Sequence, residues 1–351
     1  MRDYTGKKIY LGIDVHKKTY SVAVMFEKVV VKKTTFPANP EGLVAFCKKY
    51  FQGASIESVY EAGFSGFHLH RILIKNGIGN RLVHAAGVEI ASGNRVKTDK
   101  RDAVNLATQL EAGRLRGIYV PNEEREEKRA VTRIRETMVR HRTTVANQIK
   151  ALLHQHGLIN PNINKKVCPR WIENLKALSM PNGIRYALNH LIDMWQELSV
   201  KIKAINCEMA HQALEDSELE QVYRSVPGIG PICARVFSNE LGDLSQFENE
   251  RQLFSHTGMT PSEHSSGGHI RRGHISHQGK PIIRKLLVLA AWKAIQKDAS
   301  LREVFDRIAQ KGGGKKAIIG VARRLIGRIR ACFKKRCFYN ATEHMPALVA
   351  A

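Results

Sequence analysis

Four carboxylates could do chemistry together in this sequence, and two of them lie only three positions apart. Asp99 and Asp102 stand in VKTDKRDAVNLATQL, residues 96–110, where Thr98 can cap a helix and apolar residues recur at helical spacing. Residues three apart share a helix face, so both carboxylates border the apolar stripe. The simplest interpretation is that they complement the dipole at the start of the helix.

Two further acids stand at the ends of predicted strands. Asp14 ends KIYLGIDV on the face opposite its isoleucines and leucine, and Glu61 follows the apolar part of ESVYEAG. If these strand ends are neighbours and the helix packs over them, the four carboxylates converge. Two Mg²⁺ ions about 3.5 to 4 Å apart would neutralise such a cluster and activate phosphodiester chemistry. The candidate catalytic and metal-binding residues are therefore Asp14, Glu61, Asp99 and Asp102.

The elements that must position these acids follow an α/β order. Residues 8–36 predict three successive strands, followed by a helix capped by Asn39, a strand, a helix, a fifth strand and the acid-bearing helix. Three strands followed by alternating helix and strand is the order of the ribonuclease H-like α/β fold. In that fold the ends of the first and fourth strands lie side by side, which places Asp14 next to Glu61.

The charge balance indicates a polyanionic partner. The 351 residues include 56 Lys and Arg against 32 Asp and Glu, a formal charge of +24 with a pI near 9.9. Residues 269–337 alone hold nineteen Lys and Arg against three Asp and Glu, a net of +16. Basic side chains that neutralise phosphates release counterions, so nucleic acid is favoured. A membrane is not expected, because the longest apolar run is LLVLAAW.

The cysteines and the N-terminus indicate an intracellular protein. The six cysteines form no CxxC pair, as expected for reduced cytosolic thiols. The segment MRDYTGKKIYLGID has no apolar signal core, so export is not expected. We expect a cytoplasmic protein.

From Pro121 onward the composition predicts two long helices. The first is highly charged, and the second repeats apolar residues in a 3,4 alternation through three heptads, which indicates a coiled-coil seam. The seam could close on the first helix or on a second protomer, and periodicity does not separate these. Its residues are Leu188, Leu191, Trp195, Leu198, Ile202, Ile205 and Met209.

The region after residue 220 holds further candidate contacts to nucleic acid. In PGIG, Gly228 and Gly230 could offer backbone N–H groups to a phosphate, although a tight helix-helix turn needs the same glycines. The polar stretch TGMTPSEHSSGGHIRRGHISHQGKP is too long for a mere connection. The expected nucleic-acid-binding residues are Gly228, Gly230, Arg271, Arg272, Lys280 and Arg284.

Two rival sites in this region are weaker. The histidines of the polar stretch could bind zinc, but they have no cysteine nearby and are better interpreted as phosphate contacts. KGGGKKA lacks the GxxxxGK[ST] spacing of a phosphate-binding loop, so we interpret it as a flexible linker. The histidines are His264, His269, His274 and His277.

Several motifs resemble those of the transposases of the insertion sequence 110 family, including its 1111 subgroup. YLGIDVHKKTYSVAV, EAG and KTDKRDA match its acidic motifs, and PGIGPICA, HTGMTPSEHSSGG and RKLLVLAA match its C-terminal domain, so the resemblance covers nearly the whole chain. HAAG and SHQGKP depart from the family's usual forms. By this resemblance Ser266, with Ser265 as the alternative, is the functional serine that precedes glycine. The family's four acids correspond to Asp14, Glu61, Asp99 and Asp102.

The resemblance implies a recombinase with a metal-dependent RuvC-like domain and a serine nucleophile in a separate domain. It also implies that protomers of a homo-oligomer, a dimer or tetramer, join these half-sites. A structured bridge RNA would pair with donor and target DNA, leaving the protein to hold backbones. The aromatic content of 7% agrees with backbone-dominated binding rather than base stacking.

The expected organisation is an α/β RuvC-like domain over residues 1–120, a coiled-coil or dimerisation region over 121–220, a mainly helical transposase domain over 221–340, and a tail over 341–351. Two alternatives remain beside the recombinase. A structure-selective nuclease related to junction resolvases would need the four acids but no serine. A basic architectural protein would bind nucleic acid without catalysis, and its acids would only complement helix dipoles.

Overall fold

The chain folds into two units, Met1–Pro121 and Asn122–Ala351. The computed structural model describes residues 3–89, 98–160, 166–263, 266, 267, 269 and 271–341, and gives only the backbone of Arg272. Within these ranges, no helix is both long enough and apolar enough to cross a membrane.

The first unit is built on a five-stranded mixed sheet. Its strands are β1 (Lys8–Val15), β2 (Thr19–Phe26), β3 (Val29–Pro37), β4 (Ser55–Glu61) and β5 (Gly79–Val83), in the order β3-β2-β1-β4-β5. The β1–β2 and β2–β3 pairs are antiparallel, whereas β1–β4 and β4–β5 are parallel. The helices are α1 (Pro40–Tyr50), α2 (His68–Lys75) and α3 (Asp99–Glu111). The predicted α/β class is confirmed, and Asn39 caps α1 through its side chain as expected.

Alternation along β1 gives the sheet two apolar faces. Ile9, Leu11 and Ile13 point to one face, where they pack with apolar residues of α1 and α2. The opposite face, which includes Tyr10, is covered by α3. The contacting residues of α3 recur at helical spacing and are Ala103, Leu106, Ala107 and Leu110.

The second unit begins with two long helices that pack along each other. They are α4 (Glu123–Gln155) and α6 (Asn182–Glu215), with the short helix α5 (Pro169–Lys176) beside them. Leu188 and Trp195 of the predicted seam are buried in a core with Val145 and Ile149 of α4. Of the two closures that periodicity allows, the seam therefore uses a helix of the same chain.

The rest of the second unit is a cluster of shorter helices around one core. They are α7 (Ser217–Arg224), α8 (Pro231–Leu241), α9 (Glu250–Thr257), α10 (Pro281–Ala294), α11 (Ala299–Gly312) and α12 (Gly314–Lys335). Their core includes Tyr223, Phe237, Leu253, Leu287 and Leu325. The polar stretch before α10 is not simply a loop, because it contains the antiparallel pair β6 (Pro261–Glu263) and β7 (Arg272–Ile275).

The flexible linker expected at KGGGKKA is wrong. Helix α11 ends at Gly312 and α12 begins at Gly314, so one residue turns the chain between two helices that pack together. Gly313 has a φ of 77°, a left-handed conformation that glycine adopts at little cost. Gly313 therefore makes a tight turn between α11 and α12.

Candidate active site

The carboxyl ends of β1 and β4 bring Asp14 and Glu61 to the same edge of the sheet. The parallel register places the two acids directly after the last paired residues of these strands. Each acid lies two residues after a position that faces α3, which is Gly12 in β1 and Val59 in β4. Because side chains alternate along a strand, both carboxylates lie on the α3 side of this edge.

Helix α3 carries the other two acids over this edge, and Gly12 permits the approach. A Cβ at Gly12 would lie 2.0 Å from the carbonyl oxygen of Ala103 in α3, closer than any real contact. Only glycine therefore lets α3 lie directly on β1. Asp99 and Asp102, in the first turn of α3, are thereby carried to Asp14.

Hydrogen bonds hold α3 to the chain segment that follows β5. The Gln109 side chain accepts from the Glu89 N–H at 3.1 Å and donates to the Glu89 carbonyl at 2.8 Å. Asn105 donates to the same carbonyl at 2.9 Å. Thr98 is the N-cap as predicted, but its side chain makes no capping hydrogen bond. The position of the acids thus depends on the helix packing rather than on the cap.

His16 lies between the acids of β1 and α3. Its Nδ1 is 3.6 Å from Oδ1 of Asp14, and its Nε2 is 3.9 Å from Oδ1 of Asp99. One ligand atom from each of these three side chains lies within 4.8 Å of the other two. Both contacts are longer than a hydrogen bond, so neither carboxylate fixes the ring.

The charges of the other three predicted acids affect the pKa of Asp14. Burial is the largest cause that raises the pKa of Asp14 from 3.8 to about 6; His16 opposes the rise, and the charges of Asp99, Asp102 and Glu61 add to it. Asp14 Oδ2 is buried and has no hydrogen-bond partner among the described residues. A carboxylate oxygen in this position is costly unless a cation completes the site.

Ser266 lies at the tip of the β6–β7 hairpin and is exposed. It forms an isolated bridge with His269, whose N–H donates to the Ser266 carbonyl oxygen at 3.1 Å. Gly267, the next residue, has a φ of 57° and so allows the sharp reversal. Ser265, the alternative nucleophile, and His264 lie outside the described residues.

Backbone contacts close the base of this hairpin. The Ser276 N–H donates to the Thr260 carbonyl at 2.8 Å. A Cβ at Gly279 would lie 2.1 Å from the carbonyl oxygen of His256, so glycine is required where the returning chain passes α9. The hairpin therefore projects from a closed base that leads directly into α10.

Lys280, the residue before α10, is held by a buried carboxylate. Its Nζ donates to Oε2 of Glu240, whose side chain is only 2% exposed. Arg133 donates two hydrogen bonds to the same carboxylate, at 2.8 and 3.1 Å. Burial would raise the pKa of Glu240, but Arg133 and Lys280 outweigh it and hold the pKa below 4.5. Burial in turn lowers the pKa of Lys280 to about 8, although Glu240 opposes this.

Family models match both units of the chain. A model of DEDD transposases of IS110, described as a transposase, matches residues 11–157, and the Transposase IS116/IS110/IS902 family model matches residues 220–306. Together they match more than half of the chain. The chain belongs to the IS116/IS110/IS902 transposase family. The first match includes the four acids of this transposase, and the second includes the hairpin that carries Ser266.

Curated relatives of the transposase belong to insertion sequences. The transposase of IS1111A from Coxiella burnetii is 28% identical over 337 residues, which are 92% of this chain and 85% of the relative. That of IS1533 from Leptospira borgpetersenii is 26% identical over 302 residues, 82% of this chain and 85% of the relative. The transposase of IS1328 from Yersinia enterocolitica is 28% identical over 206 residues, which are 56% of this chain and 59% of the relative. The predicted DNA transposase activity of an insertion sequence is confirmed.

The two glycines predicted to meet a phosphate differ in their surroundings. A Cβ at Gly228 would lie 2.6 Å from Cβ of Lys293, so this glycine is needed for the turn to pack on α10. Gly230 is the N-cap of α8, and a Cβ there would meet nothing within 4 Å. Of the two, Gly230 has the free space that a phosphate contact requires, and the contact stays a prediction.

The four predicted basic contacts also divide. Arg284 donates through Nη1 to the carbonyl oxygens of Thr257 and Gly279, at 3.3 and 3.2 Å, and thus stabilises the base of the hairpin. Arg271 is exposed near the strand β7, and the side chain of Arg272 lies outside the description. Contacts of these residues to nucleic acid stay predictions.

Part of the basic C-terminal charge is internal to the transposase. Arg330 is buried and donates at 2.7 Å to the carbonyl oxygens of Phe247 and Glu248. Arg328 donates to Asp298 at 2.8 Å. The net of +16 over residues 269–337 therefore overstates the charge that faces nucleic acid.

Sequence reasoning did not single out Gly12 or His16 as parts of the site. The available signal was the alternation in KIYLGIDVHK, where Gly12, Asp14 and His16 occupy every second position. A glycine in a strand indicates a close backbone approach, which here is that of α3. The histidine two residues after the acid continues the same face beyond the end of the strand.

Proposed function

We propose that this transposase cuts and rejoins DNA with two half-sites, a metal-dependent acid site in a RuvC-like N-terminal domain and a serine in the C-terminal domain. The observation that carries the first half-site is the buried Oδ2 of Asp14, which has no hydrogen-bond partner among the described residues and lies near three other acids. The strand order β3-β2-β1-β4-β5, with only the first three strands antiparallel, supports the RuvC-like assignment.

The residues present fit a divalent cation. They offer carboxylate oxygens, the ligands that Mg²⁺ prefers, and Oδ2 of Asp14 is buried with no hydrogen-bond partner among the described residues. We propose Mg²⁺, in two ions, as the cofactor. When bound, the cation neutralises charge on a phosphodiester and increases its electrophilicity. The residues that would hold it are Asp14, Glu61, Asp99 and Asp102.

The second half-site uses Ser266 as a nucleophile. The Ser266 oxygen would bond to phosphorus as the P–O bond of the DNA strand breaks, and the departing oxygen would take the proton that serine loses. A hydroxyl from the exchanged strand then attacks the phosphoserine ester and returns a proton to Ser266. Its exposed place at a hairpin tip supports access to DNA. An unassisted hydroxyl is a poor nucleophile, and the acid site of another protomer would supply the activation.

The partners of this reaction follow from the same scheme. Double-stranded donor and target DNA are the substrates, and a bridge RNA that pairs with both would select their sequences. A homo-oligomer, a dimer or tetramer, would join the half-sites. The domain boundaries near residues 120 and 220 belong to this proposal.

Trapping the covalent adduct tests the serine step and the acid site separately. Full-length protein is mixed with bridge RNA and both DNA substrates, denatured, and mapped by mass spectrometry. We expect DNA attached to Ser266, and no adduct in Ser266→Ala or Asp14→Asn. Strand exchange that persists in Ser265→Ala/Ser266→Ala contradicts the serine step. Cleavage without rejoining in the wild type would instead indicate the structure-selective nuclease, and full activity in EDTA would rule out the metal site.

A further inference from the structure

We propose that His16 is a nitrogen ligand of the acid site, and that the site consequently binds a transition-metal dication such as Mn²⁺ more tightly than Mg²⁺. This inference rests on the proposed metal site and adds to it the identity of one ligand and the class of ion. Asp14 and Asp99 supply the two oxygen ligands that share the ion with His16.

The position of His16 is set by the backbone. Its N–H donates to the carbonyl of Thr19 at 2.9 Å, which closes the turn between β1 and β2 immediately after Val15. His16 continues the alternation of Gly12 and Asp14, so it stands on the side of the sheet that α3 covers. The fold therefore places His16 at the edge of the sheet that carries Asp14 and Glu61.

One nitrogen of His16 and one oxygen each of Asp14 and Asp99 lie within 4.8 Å of one another, which is the spacing of a potential three-ligand cation site. Nδ1 of His16 lies 3.6 Å from Oδ1 of Asp14, and Nε2 lies 3.9 Å from Oδ1 of Asp99, so neither contact is a hydrogen bond that would occupy the ring. Ligands about 2.0 to 2.2 Å from a shared ion stand roughly 3 to 4 Å apart, so a single ring nitrogen and the two carboxylates need only a small approach to share one ion. The buried Oδ2 of Asp14, which has no partner in the described part of the chain, leaves ligand capacity unused.

The donor set decides which ion fits best. Carboxylates suit Mg²⁺ and Mn²⁺ alike, whereas an imidazole nitrogen favours transition metals over Mg²⁺. A ligand set of two carboxylates and one histidine therefore predicts selectivity for Mn²⁺. A histidine that only contacted phosphate would leave the choice of ion unchanged.

The test uses Mn²⁺ itself as the probe in the full-length protein without DNA. Pulsed electron paramagnetic resonance detects ¹⁴N coupled to bound Mn²⁺, and competition with Mg²⁺ measures the preference. We expect nitrogen coupling in the wild type that changes on ¹⁵N-histidine labelling and is lost in His16→Gln. In His16→Gln, the ratio of Mn²⁺ affinity to Mg²⁺ affinity should fall by roughly tenfold or more relative to the wild type, as expected for the loss of a group that tunes a metal site.

Two variants complete the experiment. His84→Gln is the matched control, because His84 is an exposed histidine that follows β5 and its Nδ1 accepts from the Ala86 N–H at 3.1 Å; it should keep the nitrogen coupling. Nitrogen coupling that is absent in the wild type, or unchanged in His16→Gln, overturns the assignment of His16. Asp14→Asn that binds Mn²⁺ as the wild type does overturns the metal site itself, so the two failures are distinguishable.

Discussion

The carboxylates of the two units stand in opposite surroundings. In the part of the chain that the structure describes, Asp14 of the first unit has a buried oxygen with no hydrogen-bond partner, and burial and like-charged neighbours raise its pKa. Glu240 in the second unit is more deeply buried, yet it is hydrogen-bonded by Arg133 and Lys280 and its pKa is lowered. Burial alone acts in the same direction on both groups, so their partners decide the outcome.

The difference separates an acid that we propose binds a cation from one whose hydrogen bonds stabilise the fold. Asp298 resembles Glu240: burial would raise its pKa, but Tyr339, Ser300 and Arg328 lower it. A carboxylate satisfied in this way stabilises the folded chain. The like charges around Asp14 are expected to destabilise the chain when no cation is bound, as is common at functional sites. Substitutions at the two kinds of acid should therefore have opposite effects on stability.

The largest expected effect is the loss of activity in Asp14→Asn. Strand cleavage should fall by roughly a thousandfold or more, because the variant would lose a ligand of the cation that we propose neutralises charge on the reacting phosphate. The free energy of unfolding, measured in EDTA, should be unchanged or higher, since a desolvated charge among like charges has been removed. Lower stability in EDTA would contradict the contrast with Glu240.

Glu240→Ala should do the reverse and destabilise the second unit by about 1 to 3 kcal/mol, because Arg133 and Lys280 lose the buried carboxylate that accepts their hydrogen bonds. Urea denaturation followed by tryptophan fluorescence measures this, since all three tryptophans lie beyond residue 121. Glu173→Ala is the control. Glu173 pairs with Lys176 at 2.9 Å on the exposed surface, and its loss should cost less than about 1 kcal/mol. Equal effects of the two substitutions would remove the distinction.

Gly12→Ala tests whether the approach of α3 creates the acid site. The added Cβ would overlap the Ala103 carbonyl, so α3 must shift and carry Asp99 and Asp102 away from Asp14. Displacement by about 1 Å can lower a rate roughly 100-fold, and we expect a loss of that order in strand cleavage together with weaker Mn²⁺ binding. Gly183→Ala is the control, because a Cβ at Gly183 meets nothing within 4 Å. Normal Mn²⁺ binding by Gly12→Ala would show that packing at this glycine does not position the acids.

Much of the acid edge could be predicted because its signals are local. Alternation along KIYLGIDV predicts the strand and the face of Asp14, and helical spacing predicts that Asp99 and Asp102 share a face. The adjacency of β1 and β4 was predicted by analogy with a fold that has the same order of elements, and the sheet confirms it. The close approach of α3 to Gly12 could not be predicted, because the sequence does not show which helix covers β1.

The second unit was less predictable because its partners are distant in sequence. Arg133 and Lys280 lie more than a hundred and exactly forty residues from Glu240 respectively, and no periodicity links them. The β6–β7 hairpin was missed since strands of three and four residues are too short for alternation to register. The three glycines of KGGGKKA suggested flexibility, whereas Gly313 turns the chain between packed helices.

The smallest expected effect is a pH dependence that separates the two kinds of acid without removing activity. The pKa of Glu240 is below 4.5 in the folded chain, so as pH falls through 4.5 the unfolded chain binds more protons than the folded one. The stability that Glu240 contributes is thus complete above pH 4.5 and is lost as pH falls toward its folded pKa, by at most about 1.4 kcal/mol per pH unit. Glu240→Gln cannot titrate, so the difference in unfolding free energy between wild type and variant should shrink on acidification.

Urea denaturation by tryptophan fluorescence between neutral and acidic pH measures this difference, and Glu173→Gln should differ little from the wild type at every pH. A difference between wild type and Glu240→Gln that stays constant on acidification would mean that Arg133 and Lys280 do not stabilise the ionised carboxylate, and the contrast with Asp14 would then rest on geometry alone.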